Sequence, residues 1–253
     1  MNTAMAGDVV ACRVAAVDAA SPEVRIVRIE ATDGDLFAWR AGQYASFKIC
    51  DQAPRDYSIA NVPGSGVLEL HIRRSGAGGV SDFICDDLKP GDPVDVQGAF
   101  GGAFYRAKHG GPLLAIAGGT GLAPMKAIVE AALESGLRQD VHLYFGVRDE
   151  SEIYLERYFI DLMRTHANFR FVTVISEPKE NSGRRSGLVS DAVAADFQLL
   201  YGHQCYIAGP PVMVDASVHM LSLKSVPKHD IFADAFYTEA QMRAKGEPRP
   251  DWG

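Results

Sequence analysis

Four short segments hold residues whose types and spacing suit the binding of diphosphates and flat rings. The first is Gly118-Gly119-Thr120-Gly121-Leu122-Ala123-Pro124, which follows the unbroken apolar run Leu113-Leu114-Ala115-Ile116-Ala117. Glycine lacks a Cβ and lets a ligand approach the backbone. Pro124 stands where a helix should begin, a position proline favours. The N–H groups of such a turn, and the dipole of the helix behind it, attract a diphosphate. A tight turn that binds nothing is the alternative, and three glycines in four positions weigh against it. Gly119 and Gly121 match the first two glycines of the dinucleotide fingerprint, but Pro124 replaces the third, so a different kind of nucleotide unit is expected.

The second segment is Arg55-Asp56-Tyr57-Ser58. Arginine offers a planar fork for phosphate, tyrosine a flat apolar surface, and serine a small hydroxyl donor. An ordinary strand with a surface arginine and a half-buried tyrosine is the plain alternative. The third segment is Gly76-Ala77-Gly78-Gly79-Val80-Ser81. Val80, Phe83, Ile84 and Leu88 fall at helical spacing, which predicts a short helix starting near Ser81 with Ser81 as its N-cap. Gly78 and Gly79 in front of it make a second phosphate cradle, or merely a flexible loop before a surface helix. The fourth segment, Gly209-Pro210-Pro211, again puts glycine and proline at a strand-to-helix turn.

The elements that must position these residues divide the chain in two. Residues 1–104 read as antiparallel β structure, with strands at 9–17, 24–31, 44–49, 57–60, 67–72 and 94–97. Leu68, Leu70 and Ile72 alternate cleanly, as in a strand with one wet face. Ser21-Pro22, Gly42, Pro63-Gly64 and Pro90-Gly91-Asp92 supply the turns. Short strands at this spacing predict a small closed barrel. After a linker at 105–112, residues 112–237 alternate strand and helix. Strands are expected at 113–117, 141–147, 169–175, 204–208 and 231–236, and helices at 125–133, 154–163, 188–195 and 211–223. Met125, Ile128, Val129, Ala132 and Leu133 form the apolar stripe of the first helix. The pattern predicts a five-stranded, parallel, doubly wound sheet with ligands in the crevice beyond the strand carboxyl ends. The polar tail 238–253 is expected to be mobile or to lie on the surface.

Composition narrows the partners. A net charge of −7 over 253 residues gives no reason to expect nucleic acid or an anionic membrane. No apolar run is long enough to span a bilayer, and the first residues lack the pattern of a signal peptide. Cys12, Cys50, Cys85 and Cys205 are widely spaced singletons that match neither an iron–sulfur nor a zinc pattern, and the seven histidines show no metal-ligand spacing. Reduced core thiols and a cytoplasmic location are expected.

In order and spacing, the segments at 55–58, 78–81 and 118–124, together with Tyr206-Ile207-Ala208-Gly209-Pro210-Pro211, resemble the ferredoxin–NADP reductase superfamily. Within it, the chain looks most like the reductase components of bacterial ring-hydroxylating oxygenases and monooxygenases, whose C-terminal ends Phe232-Ala233-Asp234-Ala235-Phe236-Tyr237 resembles. Those proteins often carry an additional [2Fe–2S] domain, for which these residues contain no cysteine set. The resemblance implies a flavin, FAD rather than FMN, on the barrel and a nicotinamide nucleotide on the α/β unit. It implies that Arg55 contacts the flavin diphosphate, Tyr57 lies against the ring and Ser58 sits near its reactive edge. His71, Ile72 and Arg73 would line the ribityl and phosphate part, and Gly78, Gly79, Val80 and Ser81 would meet the diphosphate. Gly119, Thr120, Gly121, Pro124, Gly209 and Pro210 would hold the nicotinamide nucleotide. An aromatic near the chain end covers the flavin face in the family, which makes Phe236 the candidate and Tyr237 the runner-up. Many relatives have cysteine before the late glycine; Ala208 stands here, which argues against a cysteine contribution to hydride transfer, and Cys205 three residues earlier reads as a core thiol.

NADP-using relatives commonly place arginine after the serine that follows the third strand. Ser176-Glu177 here suits a ribose diol and repels a 2′-phosphate, which favours NADH over NADPH, although Arg184 and Arg185 lie in the same loop. The expected activity is transfer of a hydride from NADH to FAD and of single electrons to a separate ferredoxin or oxygenase component. A reductase that releases reduced flavin, or a non-catalytic flavin redox sensor, would use the same fold.

Overall fold

The computed structural model describes residues 9–180 and 182–237; the expectation for the tail 238–253 lies outside them. The first half is a six-stranded antiparallel sheet curled into a nearly closed barrel. Its strands are β1 (Val9–Ala19), β2 (Val24–Ala31), β3 (Tyr44–Ile49), β4 (Arg55–Ser58), β5 (Val67–Arg73) and β6 (Pro93–Phe100), in the order β4-β3-β6-β1-β2-β5. The two end strands approach each other, and the Ala60 amide donates to the Glu69 carbonyl at 2.7 Å. Val14, Val27, Ile29, Phe47, Ile49, Leu68, Leu70 and Val96 fill the interior. A short helix, α1 (Val80–Asp86), leans on the barrel core through Val80 and Ile84.

The second half is a five-stranded parallel sheet in the order β11-β10-β7-β8-β9. Its elements run β7 (Leu113–Gly118), α2 (Leu122–Glu134), β8 (Val141–Val147), α3 (Glu156–Thr165), β9 (Phe169–Ile175), α4 (Val189–Asp196), β10 (Gln204–Gly209), α5 (Pro211–Leu223) and β11 (Ile231–Ala235). Every residue of β7 is buried. Leu113, Ala115 and Ala117 face the cluster under α2 and α3, while Leu114 and Ile116 face the one under α4 and α5. That two-sided burial is why the run has no polar alternation.

Several boundaries move, each for a local reason. Strand β4 begins at Arg55 rather than residue 57 and stops at Ser58, because the next amides leave β3: Ile59 donates to Gln43 and Ala60 crosses to Glu69. Helix α3 starts two residues late because Leu155 is left-handed (φ 56°) behind a 3-10 turn capped by Asp149. Helix α1 is N-capped by Gly79, not Ser81. Strand β11 ends at Ala235, one residue before Phe236. Among the described residues all four cysteines are free, as expected; Cys12, Cys85 and Cys205 are buried, and burial pushes the Cys205 thiol up to about 12.

The expectation of a wet face on β5 is overturned. Leu68, Leu70 and Ile72 point into the barrel, but Glu69 and His71 on the opposite face are also buried, because that face packs on the α/β half. His71 hydrogen-bonds Tyr154 through Nδ1 (3.1 Å) and Glu69 through Nε2 (3.3 Å). Burial lowers the His71 pKa, so the ring is neutral, and a proton on Nε2 satisfies both contacts. Glu69 also receives Lys126 Nζ at 3.2 Å and Arg28 at 3.1 Å. Burial opposes ionisation of Glu69, but the His71 hydrogen bond and the Lys126 charge outweigh it and hold the carboxyl at about 2.

The sign of the resulting pH dependence follows. Glu69 titrates at about 2 in the folded protein against 4.5 ordinarily, so its contribution is complete above about 4.5 and is lost as pH falls toward about 2. Thermal melts across that window should show Glu69→Gln losing stability at pH 7 and having a flatter acid limb than the parent. Parallel acid limbs would show that Glu69 does not anchor the seam.

Candidate functional site

The crevice is built from two interlocked glycine turns. At the end of β7, a Cβ on Gly121 would lie 2.0 Å from the Ala208 carbonyl oxygen, and one on Gly118 would lie 2.5 Å from Met213 Sδ. At the end of β10, Gly209 has φ +145°, and its Cβ would meet the Gly118 carbonyl at 2.8 Å. These three glycines let the two strand ends touch. Gly119 is different: its φ is +54° and a Cβ there would meet only Arg73, at 3.9 Å. The surface at Gly119 and Thr120 is therefore the part open to a ligand. Pro124 falls in the first turn of α2, where its missing N–H costs nothing. No side chain caps the 3-10 turn Gly119–Gly121, α2, or α5 behind Pro210. The Leu122 amide is already taken by the Gly119 and Thr120 carbonyls and the prolines have none, so the donors left are those of the 3-10 turn and, behind Pro211, of Val212 and Met213. This donor set fits the diphosphate of a dinucleotide.

Cations and carboxylates flank the turn. Arg73 reaches from β5 of the barrel to Glu152 Oε1 at 2.6 Å, and Arg148, after β8, reaches the same oxygen at 2.7 Å. Glu177, after β9, donates its amide to the Arg148 carbonyl at 2.7 Å, which pins the two loops side by side. The arginines in the following loop are both held. Arg184 forms a two-pronged pair with Glu156 (2.5 and 3.0 Å), and Arg185 forms one with Asp196 (2.5 and 2.9 Å).

On the barrel side, β4 pairs with β3 so that Tyr57 opposes Ala45 and Ser58 opposes Tyr44. Tyr57 packs against the barrel core with its ring 6.1 Å from Phe47. Burial, aided by Asp56 and Asp234, raises the Tyr44 hydroxyl pKa. Asp234 belongs to β11; the two halves touch through Lys126 Nζ at the Ala60 carbonyl (3.2 Å) and through Arg73 beside Gly119. Burial alone raises the Asp234 carboxyl. Phe236 follows just past the end of that strand; its amide donates to the Gly209 carbonyl at 2.9 Å and its ring packs partly buried on the α2 side of the core. Arg55, at the start of β4, is half-buried and donates to the Pro54 carbonyl at 2.8 Å.

Two expectations change with the side-chain positions. The loop at 75–78 is not an empty cradle: the Asp82 carboxylate accepts the amides of Ser75, Gly76 and Gly78 at 2.7, 2.9 and 2.6 Å. A carboxylate already fills the nest, so Gly78 has no amide left to donate, while Gly79, Val80 and Ser81 keep theirs at the uncapped start of α1. The side chains of His71 and Ile72 are also committed elsewhere, to the seam and the barrel core, which leaves only their backbone to meet a ligand. Arg73 lies beside Gly119, on the side of the glycine turn.

Sequence reasoning missed Tyr44, Lys126, Glu152 and Asp82. Tyr44 was within reach of it, because antiparallel pairing of the two strands around 50–54 puts it opposite Ser58. The other three act through contacts across loops and between halves. Among the described residues no cluster of three or more His, Cys, Asp or Glu side chains could hold a metal ion, and no helix is long and apolar enough to cross a membrane.

Comparison with known proteins assigns each half of the chain to a domain family. Residues 11–105 match the oxidoreductase FAD-binding domain family and residues 115–219 the oxidoreductase NAD-binding domain family. A ferredoxin–NAD(P)+ reductase component of naphthalene 1,2-dioxygenase/salicylate 5-hydroxylase systems from Ralstonia sp is 40% identical, over 88% of this chain and 68% of the relative. The corresponding naphthalene 1,2-dioxygenase component of Pseudomonas putida is 34% identical with the same coverage. Among solved structures, an Amycolatopsis cytochrome P450 reductase superposes with a TM-score of 0.84 at 31% identity, covering 90% of this chain and 70% of that one. With an FAD-binding barrel, an NAD-binding parallel sheet and relatives of this similarity, the chain belongs to the oxidoreductase family of FAD-dependent ferredoxin–NAD(P) reductase components.

Proposed function

We propose that the chain takes a hydride from NADH, in preference to NADPH, onto FAD, and hands electrons singly to a separate ferredoxin or oxygenase component in the cytoplasm. The observation that carries this reading is the contact of the two halves beside the glycine turn: Arg73 of β5 lies against Gly119, and Lys126 of α2 reaches the Ala60 carbonyl just past β4 at 3.2 Å. FAD supplies the chemistry, accepting two electrons together and releasing them one at a time. The protein's task is to hold two flat rings in contact geometry and keep water out.

In this reading residues 1–104 form the flavin unit and 112–237 the nucleotide unit. Arg55 holds the flavin diphosphate together with the amides of Gly79, Val80 and Ser81. Tyr57 supports the ring, and the Ser58 hydroxyl donates to its reactive edge. The backbone of 71–73 lines the ribityl chain. On the other side, Gly119, Thr120 and the start of α2 take the nucleotide diphosphate, Gly209 and Pro210 take the nicotinamide end, and Glu177 accepts from the ribose diol. Phe236 covers the flavin face until nicotinamide displaces it.

Three outcomes test these roles. Purified protein should be yellow. Arg55→Ala should retain less FAD after gel filtration, because a charge-assisted phosphate contact contributes roughly 1.5–3 kcal/mol. Colourless parent protein that turns over only with added flavin would favour the flavin-releasing reductase instead.

The nucleotide preference rests on Glu177 and on the pairing of Arg184 and Arg185 with Glu156 and Asp196. kcat/KM should be higher with NADH than with NADPH. Glu177→Arg should move the ratio toward NADPH, and so should Glu156→Gln, which releases Arg184. Better use of NADPH by the parent would mean that an arginine leaves its carboxylate when nucleotide binds.

Phe236→Ala should shift the flavin spectrum and the rate of reduction by NADH in stopped flow, with only a modest loss of thermal stability. An unchanged spectrum and rate, with a loss of about 3–5 kcal/mol, would make Phe236 a core residue.

A further inference from the structure

Lys126 is a buried charge on the side of its helix that the sequence pattern leaves polar, outside the stripe of Met125, Ile128, Val129, Ala132 and Leu133. It lies in α2, one turn after the glycine turn, and is 8% exposed. Lysine is almost never buried unless its charge is paired. Its ammonium meets three acceptors, one on its own helix and two on the barrel. Lys126 Nζ reaches Glu69 Oε1 on β5 at 3.2 Å, Glu130 Oε1 one turn along α2 at 2.9 Å, and the Ala60 carbonyl at 3.2 Å. Ala60 is two residues after Ser58, at the point where the chain leaves β4 for β5. The partners are themselves occupied: Arg28 holds the second oxygen of Glu69, and the Tyr158 hydroxyl donates to Glu130. The ammonium is therefore held from three sides, and it shares Glu69 Oε1 with His71 and Glu130 Oε1 with Tyr158.

We propose that Lys126 is a positioning residue for hydride transfer: it pins the helix that begins at the nucleotide turn to the strand that carries Ser58, and so sets the separation of the two rings. The inference rests on the reading above, in which flavin lies along β4 and the nucleotide on the turn before α2. Apolar packing is non-directional and would tolerate sliding of one half on the other. A directional hydrogen bond to the Ala60 carbonyl and an ion pair to Glu69, made by one ammonium to two separate segments of the barrel, would not. Stability alone is a weak account of the site, since a buried ion pair can often be replaced by apolar residues of similar volume without loss. What such a replacement removes is the fixed register, and a displacement of about 1 Å can cost on the order of 100-fold in rate.

The experiment uses the FAD-loaded protein and compares the parent with Lys126→Met and Lys126→Gln. Three quantities are read: the dissociation constant of NAD+ from the perturbation of the flavin spectrum, the limiting rate of anaerobic reduction at saturating NADH, and Tm. The expected result is NAD+ affinity within about threefold of the parent, a changed NAD+-induced difference spectrum, and a limiting rate at least about tenfold lower. A limiting rate within about twofold of the parent, whatever happens to Tm, overturns the proposal. So does a rate loss matched by an equal loss of NAD+ affinity, which would make Lys126 a binding residue. If neither variant folds with FAD, Glu69→Gln decides. It weakens the ion pair that ties α2 to β5, and a limiting rate equal to the parent's would overturn the proposal. Failure of the underlying reading shows separately, as parent protein that holds no FAD or is not reduced by NADH.

Discussion

The constraint on which the rest of this structure depends is the backbone contact between the ends of β7 and β10. Gly118 and Gly121 on one turn, and Gly209 on the other, approach so closely that a single methyl group would collide with a carbonyl oxygen or a buried side chain. Because these two central strands end together, the helices that follow them start together. α2 and α5 then present uncapped N-termini to the same crevice. Two helix N-termini, and so the positive ends of two helix dipoles, converge there, which favours a ligand carrying a diphosphate over a neutral one. The glycines often read as a ligand cradle are here mainly a structural joint, with Gly119 as the part that faces outward.

The second theme is the conversion of a barrel surface into an interface. The outer face of β5 carries Glu69, His71 and Arg73. In an isolated barrel these would be ordinary solvated residues. Against the α/β half, Glu69 and His71 are buried with Tyr154 and Lys126, and Arg73 pairs with Glu152 at the margin. Burial of this many polar groups is tolerable because almost every donor meets an acceptor. The cost of desolvating the Glu69 carboxylate is offset by its three cationic or hydrogen-bonding neighbours, and its low pKa follows from that balance. The same logic runs along the nucleotide side, where Arg148, Arg184 and Arg185 each sit on a carboxylate rather than facing the crevice as spare charge.

The sequence by itself determined the two sheets, the strand order of chemistry along the chain and most of the elements. β2, β3, β8, β9 and α5 lie where periodicity places them, because their apolar residues repeat at the spacing of the face they bury. The turn glycines were legible for a similar reason: few other residues can occupy a strand-to-helix turn of that shape. Tertiary structure alone decided which side of a half-polar strand is wet, since Leu68, Leu70 and Ile72 look the same whether Glu69 and His71 meet water or another layer. It alone decided that Asp82 fills the loop at 75–78, that Arg184 and Arg185 are held by Glu156 and Asp196, and that Lys126 belongs to neither core nor surface. A periodic pattern records the environment of a residue along its own element. Partners from a distant segment, which settle whether a charge is free or satisfied, exist only once the chain has folded.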